Sequence, residues 1–209
     1  MDIICEKRLI EMNVKQKQSQ DSQRKFMLSA LEMINEKGYS EITVQDICTR
    51  AEKSIGAFYH HFSSKEDVII AAYKDFDKKL QDSYRFDDFP DWTNALSFLL
   101  DSYLKYSSDN GFEFSKATII AQLSIENPYL TDSNRTFYHS VAEALENGIA
   151  HGDLPMSHNA EELCHWFIRT VRGTIFDWVL RRGEPSLLEM GKKDYSVILC
   201  MLKQQKNSD

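Results

Sequence analysis

Glycine and proline are scarce in this 209-residue chain, which contains 8 and 4 of them. No apolar run approaches the roughly 18 to 20 residues that cross a bilayer. Charged residues also interrupt the first eight positions, so we expect neither a membrane span nor a signal peptide. The four cysteines, at positions 5, 48, 164 and 200, form no CxxC pair and no metal-ligand spacing. We therefore expect a cytoplasmic protein with reduced thiols, without a disulfide scaffold, metal or cofactor.

Basic residues are in deficit, with 25 Lys and Arg against 32 Asp and Glu and a formal net charge of −7. The deficit lies wholly in residues 86–209, which carry 11 basic and 18 acidic residues, whereas residues 1–85 carry 14 of each. Phosphate groups meet a local patch rather than the total charge. The acidic balance therefore does not exclude nucleic-acid binding.

Apolar residues recur at spacings of i, i+3, i+4 and i+7, which predicts an all-α fold. Most glycines and prolines fall between these periodic segments, where they end helices. The predicted helices are 21–37, 43–50, 54–62, 63–84, 91–107, 112–126, 132–150, 159–182 and 186–205.

These helices divide into four parts. Residues 1–20 are polar with weak periodicity and are expected to fray. Residues 21–66 form a three-helix head, residues 67–85 continue a connecting fourth helix, and residues 86–209 form a second helical domain.

The head contains two short helices joined by a tight turn. Thr43 and Asp46 are spaced as a capping box that opens the first of them. Helices of about eight residues are not stable alone, so both must pack across the helix before them, as in a helix-turn-helix. On the second short helix, Ile55, Phe58 and Phe62 are predicted to face inward. The opposite face then presents a surface suited to a DNA major groove: Ser54, Ala57, Tyr59, His60 and His61.

Two runs carry a resemblance to a known family. They are GYSEITVQDI at 38–47 and SIGAFYHHFSSKE at 54–66, and they resemble the N-terminal signature of TetR-family transcriptional regulators. The resemblance implies a DNA-binding head, a helical ligand-binding domain, and a homodimer on a palindromic operator. By position, it places the DNA contacts on Thr43, Ser54, Gly56, Ala57, Tyr59, His60, His61 and Lys65. Lys53 departs from the family pattern, and it either adds a phosphate contact or is simply solvated.

The second domain shows no pattern of a particular subfamily. Its aromatic residues mostly form core, and some of them are expected to line a small-molecule site. The candidate ligand residues are Tyr103, Phe114, Tyr138, His165, Trp166 and Arg169. Arg169 and Arg172 either meet an anionic ligand or form surface or inter-subunit salt bridges.

The last two helices carry more apolar positions than one face each can bury. This excess predicts a homodimer through a four-helix interface. The apolar positions are Phe167, Ile175, Trp178, Leu187, Ile198, Leu199 and Leu202.

No phosphate loop, Ser-His-Asp context or carboxylate pair indicates an enzyme. We therefore predict a DNA-binding repressor that a small-molecule effector releases from its operator. The alternatives are a helical small-molecule-binding protein or enzyme without DNA binding, and an activator or ligand-independent regulator.

Overall fold

The computed structural model describes residues 3–154 and 159–204, and the side chains of 16–154 and 159–202. Within those residues the chain forms nine α-helices and no strand, which confirms the all-α prediction. The helices are α1 Ile3–Lys37, α2 Val44–Arg50, α3 Ile55–His61, α4 Lys65–Ser83, α5 Trp92–Asn110, α6 Phe112–Leu123, α7 Thr136–Ala150, α8 Ala160–Leu180 and α9 Leu187–Gln204. Short 3₁₀ turns lie at Tyr39–Glu41, Phe86–Asp88 and Tyr129–Thr131.

The largest difference from the predicted boundaries is the start of α1. We expected a helix from about Asp21, whereas α1 begins at Ile3. The segment lacks an apolar stripe, but it contains neither glycine nor proline and is rich in Glu, Lys, Arg and Gln. These residues favour helix by intrinsic propensity, which periodicity does not detect.

The backbone divides into two compact units, residues 1–72 and residues 73–209. In the first unit, α1, α2 and α3 pack on a small apolar core that includes the fully buried Phe26, Ile47 and Phe58. The rings of Phe26 and Phe58 meet edge to face at 5.3 Å, an arrangement that aromatic pairs favour. Outside this core, Arg50 forms two hydrogen bonds of 2.7 Å with the carboxylate of Glu36 and so joins α2 to α1.

The predicted caps of the head are present. Thr43 Oγ1 accepts a hydrogen bond from the Asp46 amide, and the Asp46 carboxylate accepts one from the Thr43 amide, which completes the capping box. Glu52 adopts a left-handed conformation with φ of 54° in the turn between α2 and α3. Ser54 then caps α3 by accepting a hydrogen bond from the Ala57 amide. The local sequence therefore sets both helix starts.

The second unit has an aromatic core. The ring of Tyr103 on α5 contacts the ring of Phe137 on α7, with centroids 4.5 Å apart. Phe76 on α4 meets the Tyr103 ring edge to face at 5.4 Å. Tyr73 stacks on Phe114 of α6 at 5.8 Å. This cluster joins four helices, so burial of aromatic surface organises the middle of the unit.

A buried ion pair lies beside the aromatic core. Asp77 on α4 accepts hydrogen bonds from Arg135 Nε at 2.8 Å and from Arg135 Nη2 at 3.2 Å. Tyr129 Oη donates to the same carboxylate at 2.6 Å. The side chains of Arg135 and Asp77 are only 3% and 7% exposed. The pair therefore connects α4 to the start of α7 in surroundings from which water is excluded.

The predicted dimer residues need correction. Phe167, Ile175 and Trp178 are buried within the chain, as are Leu187, Ile198 and Leu202, and Leu199 is half-buried. The apolar side chains that α8 and α9 leave exposed are instead Phe176, Leu180, Val197 and Met201. Packing against α5 and α7 covers most of the apolar positions counted on these two helices, so an interface with a second copy would use the exposed side chains.

The buried ion pair gives a test of the second unit. Replacing Arg135 with Met should lower the free energy of unfolding by about 3–5 kcal/mol, because Asp77 is left buried and uncompensated. Lys79→Ala is the control, since its ion pair with Asp75 is exposed and should contribute at most about 1 kcal/mol. Chemical denaturation of both variants measures the difference, and equal losses would contradict this role of Arg135.

Candidate nucleic-acid interface and ligand site

The exposed face of α3 is the candidate DNA surface. Tyr59 is 57% exposed, and its ring stands edge to face on the buried Phe58 at 5.5 Å. Ser54, Gly56 and His60 are also exposed. The buried Phe58 ring thus packs against the Tyr59 ring, while the Tyr59 hydroxyl remains exposed and can contact a ligand.

Two residues of α3 differ from their predicted orientation. Ile55 was expected to face inward, but its side chain is 42% exposed. Ala57 was expected on the open face and is half-buried. Phe58 is the only fully buried residue of α3, and Ile55, one turn before it, lies at the edge of the packed face.

Gly56 is not required by the packing of the head. A Cβ atom added there would meet nothing closer than Ser54 Oγ at 3.9 Å. Glycine within a helix is destabilising relative to alanine by about 0.5–1 kcal/mol. Gly56 therefore lowers the stability of α3, and no contact among the described residues requires a glycine there. Close approach of a DNA backbone would require one.

Two predicted hydroxyl donors already have local roles. Thr43 Oγ1 donates to Asp46 Oδ2 at 2.6 Å and accepts from the Asp46 amide. Ser54 Oγ accepts from the Ala57 amide at 3.1 Å and retains its own hydrogen for donation. Of these two residues, Ser54 is therefore the better placed to donate to a phosphate.

Lys65 is also engaged within the head. Its Nζ donates to the carbonyl oxygens of Tyr39 and Ile42 at 3.1 Å each and lies 4.2 Å from the centre of the Tyr39 ring. The Tyr39 hydroxyl in turn donates to Glu66. These contacts connect the start of α4 to the turn before α2. One N–H of the ammonium group remains available to a phosphate. Lys53, the other candidate cation, is half-buried.

The two histidines of α3 have different surroundings. His60 is exposed, whereas His61 is half-buried with its ring 6.2 Å from that of Phe26. Burial and the neighbouring His60 lower the pKa of His61 below its usual value. His61 therefore contributes mainly as a neutral group near pH 7, and His60 is the more open of the pair.

The six candidate ligand residues of the second unit fall into separate groups. Tyr103 and Phe114 are fully buried in the aromatic core, where Tyr73 contacts both of them. Tyr138 and His165 form a second group, with ring centroids 4.9 Å apart. Trp166 is half-buried on α8 and Arg169 is exposed.

Two further polar residues of the second unit, Arg172 and Gln122, are joined by hydrogen bonds to the Leu130 peptide. Arg172 is half-buried on α8, and the sequence analysis left its role open between an anionic ligand and a salt bridge. Gln122 is buried on α6 and was missed. It follows Phe114 and Thr118 at intervals of four, and a polar residue on that buried stripe is the signal that identifies it.

No set of three or more metal-ligating side chains lies together among the residues that the structure describes. Within the same residues, no helix is both long enough and apolar enough to cross a membrane.

Comparison with known proteins identifies relatives of this chain. Residues 27–72 match the sequence model of a family described as bacterial regulatory proteins, tetR family. The transposon Tn10 TetC protein of Escherichia coli is 31% identical over 100 residues, which are 47% of this chain and 50% of that protein. This match spans about half the length of TetC. The HTH-type transcriptional repressor KstR2 of Mycobacterium tuberculosis is 27% identical over 179 residues, covering 81% of this chain and 87% of KstR2.

Solved structures have the same fold. The transcriptional regulator FadR from Bacillus subtilis, solved in complex with stearoyl-CoA, superposes with a TM-score of 0.63 and 18% identity over 84% of this chain and 97% of FadR. The fatty acid degradation regulator FadR from Bacillus halodurans superposes with a TM-score of 0.66 and 21% identity, over 85% of this chain and 94% of that FadR. At these identities the likeness establishes the architecture of a helical head followed by a helical domain.

Gly56 gives a test of the candidate interface with two opposite outcomes. Gly56→Ala should raise the free energy of unfolding by about 0.5–1 kcal/mol, because alanine has the higher helix propensity and its Cβ would clash with no neighbouring atom. The same change should weaken DNA binding, because the added methyl group blocks close approach. Denaturation and fluorescence anisotropy with duplex DNA measure the two effects. A more stable variant with unchanged DNA affinity would remove Gly56 from the interface.

Proposed function

From the premise that this chain belongs to the TetR family of bacterial regulatory proteins, we propose that it is a homodimeric repressor without catalytic activity. It binds a palindromic operator in the cytoplasm and leaves it when a small-molecule effector binds the second unit. The observation that carries this proposal is the polar face of α3, which nothing in its own unit covers among the described residues.

Recognition by α3 divides between shape and hydrogen bonding. Tyr59 and His60 are exposed donors that reach phosphate oxygens, and such contacts position the head without reading sequence. Gly56 leaves room for the DNA backbone. Ala57 borders this face, where its methyl group can meet a thymine methyl. Base recognition therefore depends on the edge formed by Gly56 and Ala57.

Dimerisation brings two heads to one palindrome. Phe176 and Leu180 are one turn apart on α8, and Val197 and Met201 are one turn apart on α9, so each helix has an exposed apolar stripe. Symmetric pairing of both stripes makes a four-helix interface, in which the same patch meets itself. The proposed interface therefore consists of these four exposed residues rather than the apolar positions that are buried within the chain.

Effector control requires two states of different affinity. A ligand releases DNA only if it binds the DNA-incompetent state more tightly, and DNA must weaken ligand binding by the same factor. Helix α4 is continuous from Lys65 to Ser83 and supplies residues to both compact units. It is the element whose displacement links the two events. FadR from Bacillus subtilis, which has the same fold, was solved in complex with stearoyl-CoA, and this supports control by a small molecule here.

Selection from a randomised duplex library with the full chain tests DNA binding. We expect one palindromic sequence to be enriched. Tyr59→Ala and His60→Ala should each raise the Kd for it about tenfold, since a hydrogen bond to a charged group contributes about 1.5 kcal/mol. His139→Ala, at an exposed histidine of α7, is the matched control and should bind like the parent. Failure to enrich any sequence would refute the proposal and favour a helical small-molecule-binding protein.

Sedimentation velocity tests the dimer. The parent chain should sediment as a dimer at micromolar concentration. Leu180→Glu and Met201→Glu should sediment as monomers, because each places a charge in an apolar interface. Leu123→Glu is the control, since Leu123 is an exposed leucine on α6 rather than on α8 or α9. A monomeric parent, or dimers in both interface variants, would show that the stripes serve another purpose.

A further inference from the structure

We propose that the effector of this protein is an organic anion, whose carboxylate or phosphate group binds Arg172 with Tyr138 and Gln122 as further donors. This inference rests on the proposed function, because it concerns the effector site of the second unit. It resolves the alternative left open by the sequence, in which Arg172 was either a ligand contact or half of a salt bridge.

Arg172 is a half-buried cation without an acidic partner. Its Nη1 donates to the carbonyl oxygen of Leu130 at 3.2 Å, and among the described residues no carboxylate oxygen lies within 4.0 Å of the guanidinium. Burial lowers the pKa of Arg172, and the nearby Arg135 acts in the same direction. Arginine nevertheless remains protonated in proteins. A positive charge therefore sits partly out of water with four of its five N–H groups available.

Two buried polar atoms accompany this cation. Tyr138 Oη and Gln122 Nε2 make no hydrogen bond of good geometry among the described residues, although the Cys164 thiol lies near the Tyr138 hydroxyl, and each residue is only 8% exposed. Leaving such groups unsatisfied is costly, so native structures seldom do so without a reason. Burial raises the pKa of Tyr138 to about 12, so its hydroxyl keeps its proton at neutral pH and can donate it.

The three groups belong to one neighbourhood. The Leu130 peptide joins two of them, because its N–H donates to Gln122 Oε1 at 2.9 Å while its carbonyl oxygen accepts from Arg172. Tyr138 packs against His165 with ring centroids 4.9 Å apart, and His165 lies two turns before Arg172 on the same face of α8. Leu130 thus orients the Gln122 amide by its oxygen and leaves the Nε2 group unoccupied.

Arg135 differs from Arg172 in having an acidic partner. Arg135 is buried in the same unit and is neutralised by two hydrogen bonds to Asp77. Residues 86–209 contain 18 acidic side chains, yet none pairs with Arg172 among the described residues. Arg169, three residues earlier on α8, also lacks an ion pair there and adds a second positive charge.

The available groups define the class of ligand. The Arg172 guanidinium, the Tyr138 hydroxyl and the Gln122 amide nitrogen all offer hydrogen to a partner. A carboxylate or phosphate accepts only, and its paired oxygens match the fork of a guanidinium. An amine or a neutral alcohol satisfies this set less well. Leu130 is half-buried, and its peptide contacts both Arg172 and Gln122, so its side chain suits an apolar body attached to the anion.

Three probes with the same eight-carbon tail test the head group. Octanoate, octyl phosphate and octan-1-ol are titrated into the full chain by calorimetry, with thermal unfolding at constant ionic strength as a second readout. We expect octanoate or octyl phosphate to bind and raise Tm, and octan-1-ol to bind at least tenfold more weakly. The two anions distinguish a carboxylate effector from a phosphate-bearing one.

Variants identify the residues that hold the anion. Arg172→Gln should weaken binding of the preferred anion at least tenfold, and Tyr138→Phe should weaken it severalfold, because it removes only the hydroxyl. Arg181→Gln is the matched control, since Arg181 is exposed on α8 and paired with Asp177, and it should bind like the parent. Arg172→Gln should also unfold at the same Tm as the parent or higher without ligand, because an uncompensated buried charge is removed. A purely structural arginine would give a lower Tm.

Other outcomes overturn the inference. These are equal affinity for octan-1-ol and the anions, unchanged binding in Arg172→Gln, and no binding of either anion at millimolar concentration. Operator selection with the unliganded parent keeps this result separate from the proposed function. Anion binding that depends on Arg172 in a chain that selects no DNA would refute the repressor and leave the site. DNA selection without anion binding would do the reverse.

Discussion

The buried ion pair between Asp77 and Arg135 is the interaction on which the second unit depends. Each charge is excluded from water and is tolerable only because the other is present with good geometry. Tyr129 and the Phe137 amide also donate to the Asp77 carboxylate, so its oxygens are well satisfied. One carboxylate therefore holds α4, the turn at residues 129–131 and the start of α7 in a single arrangement.

Around this pair, the same unit treats two arginines in opposite ways. Arg135 is compensated and surrounded by the rings of Tyr73, Tyr103 and Tyr129, which stabilise a cation further. Among the described residues, the Leu130 carbonyl oxygen is the only hydrogen-bond partner of Arg172. The first arrangement stabilises the fold, whereas the second leaves a positive charge uncompensated, as the proposed anion site requires.

The head shows a similar division between structure and recognition. Thr43 and Lys65 lie at positions that the family associates with DNA, yet here their polar atoms first complete a cap and bind two carbonyl groups. Among the described residues, Tyr59 and Gly56 have no comparable structural role. Residues with local roles hold α2 and α4 in place, and those without them form the surface of α3 that is open to DNA.

Local physics made part of this protein predictable from sequence alone. Apolar periodicity predicted the all-α fold, the Thr43–Asp46 spacing predicted the capping box, and the two N-terminal runs indicated the similarity to tetR-family regulators that the match of residues 27–72 confirms. These features depend on neighbours within a few residues, so the chain determines them before it folds. Tertiary structure decided the rest. It exposed Ile55, buried Trp178 and left Phe176 and Leu180 uncovered, and it gave Arg135 an acidic partner but none to Arg172 among the described residues. Such outcomes depend on which distant segments pack together, and spacing along one helix does not contain that information.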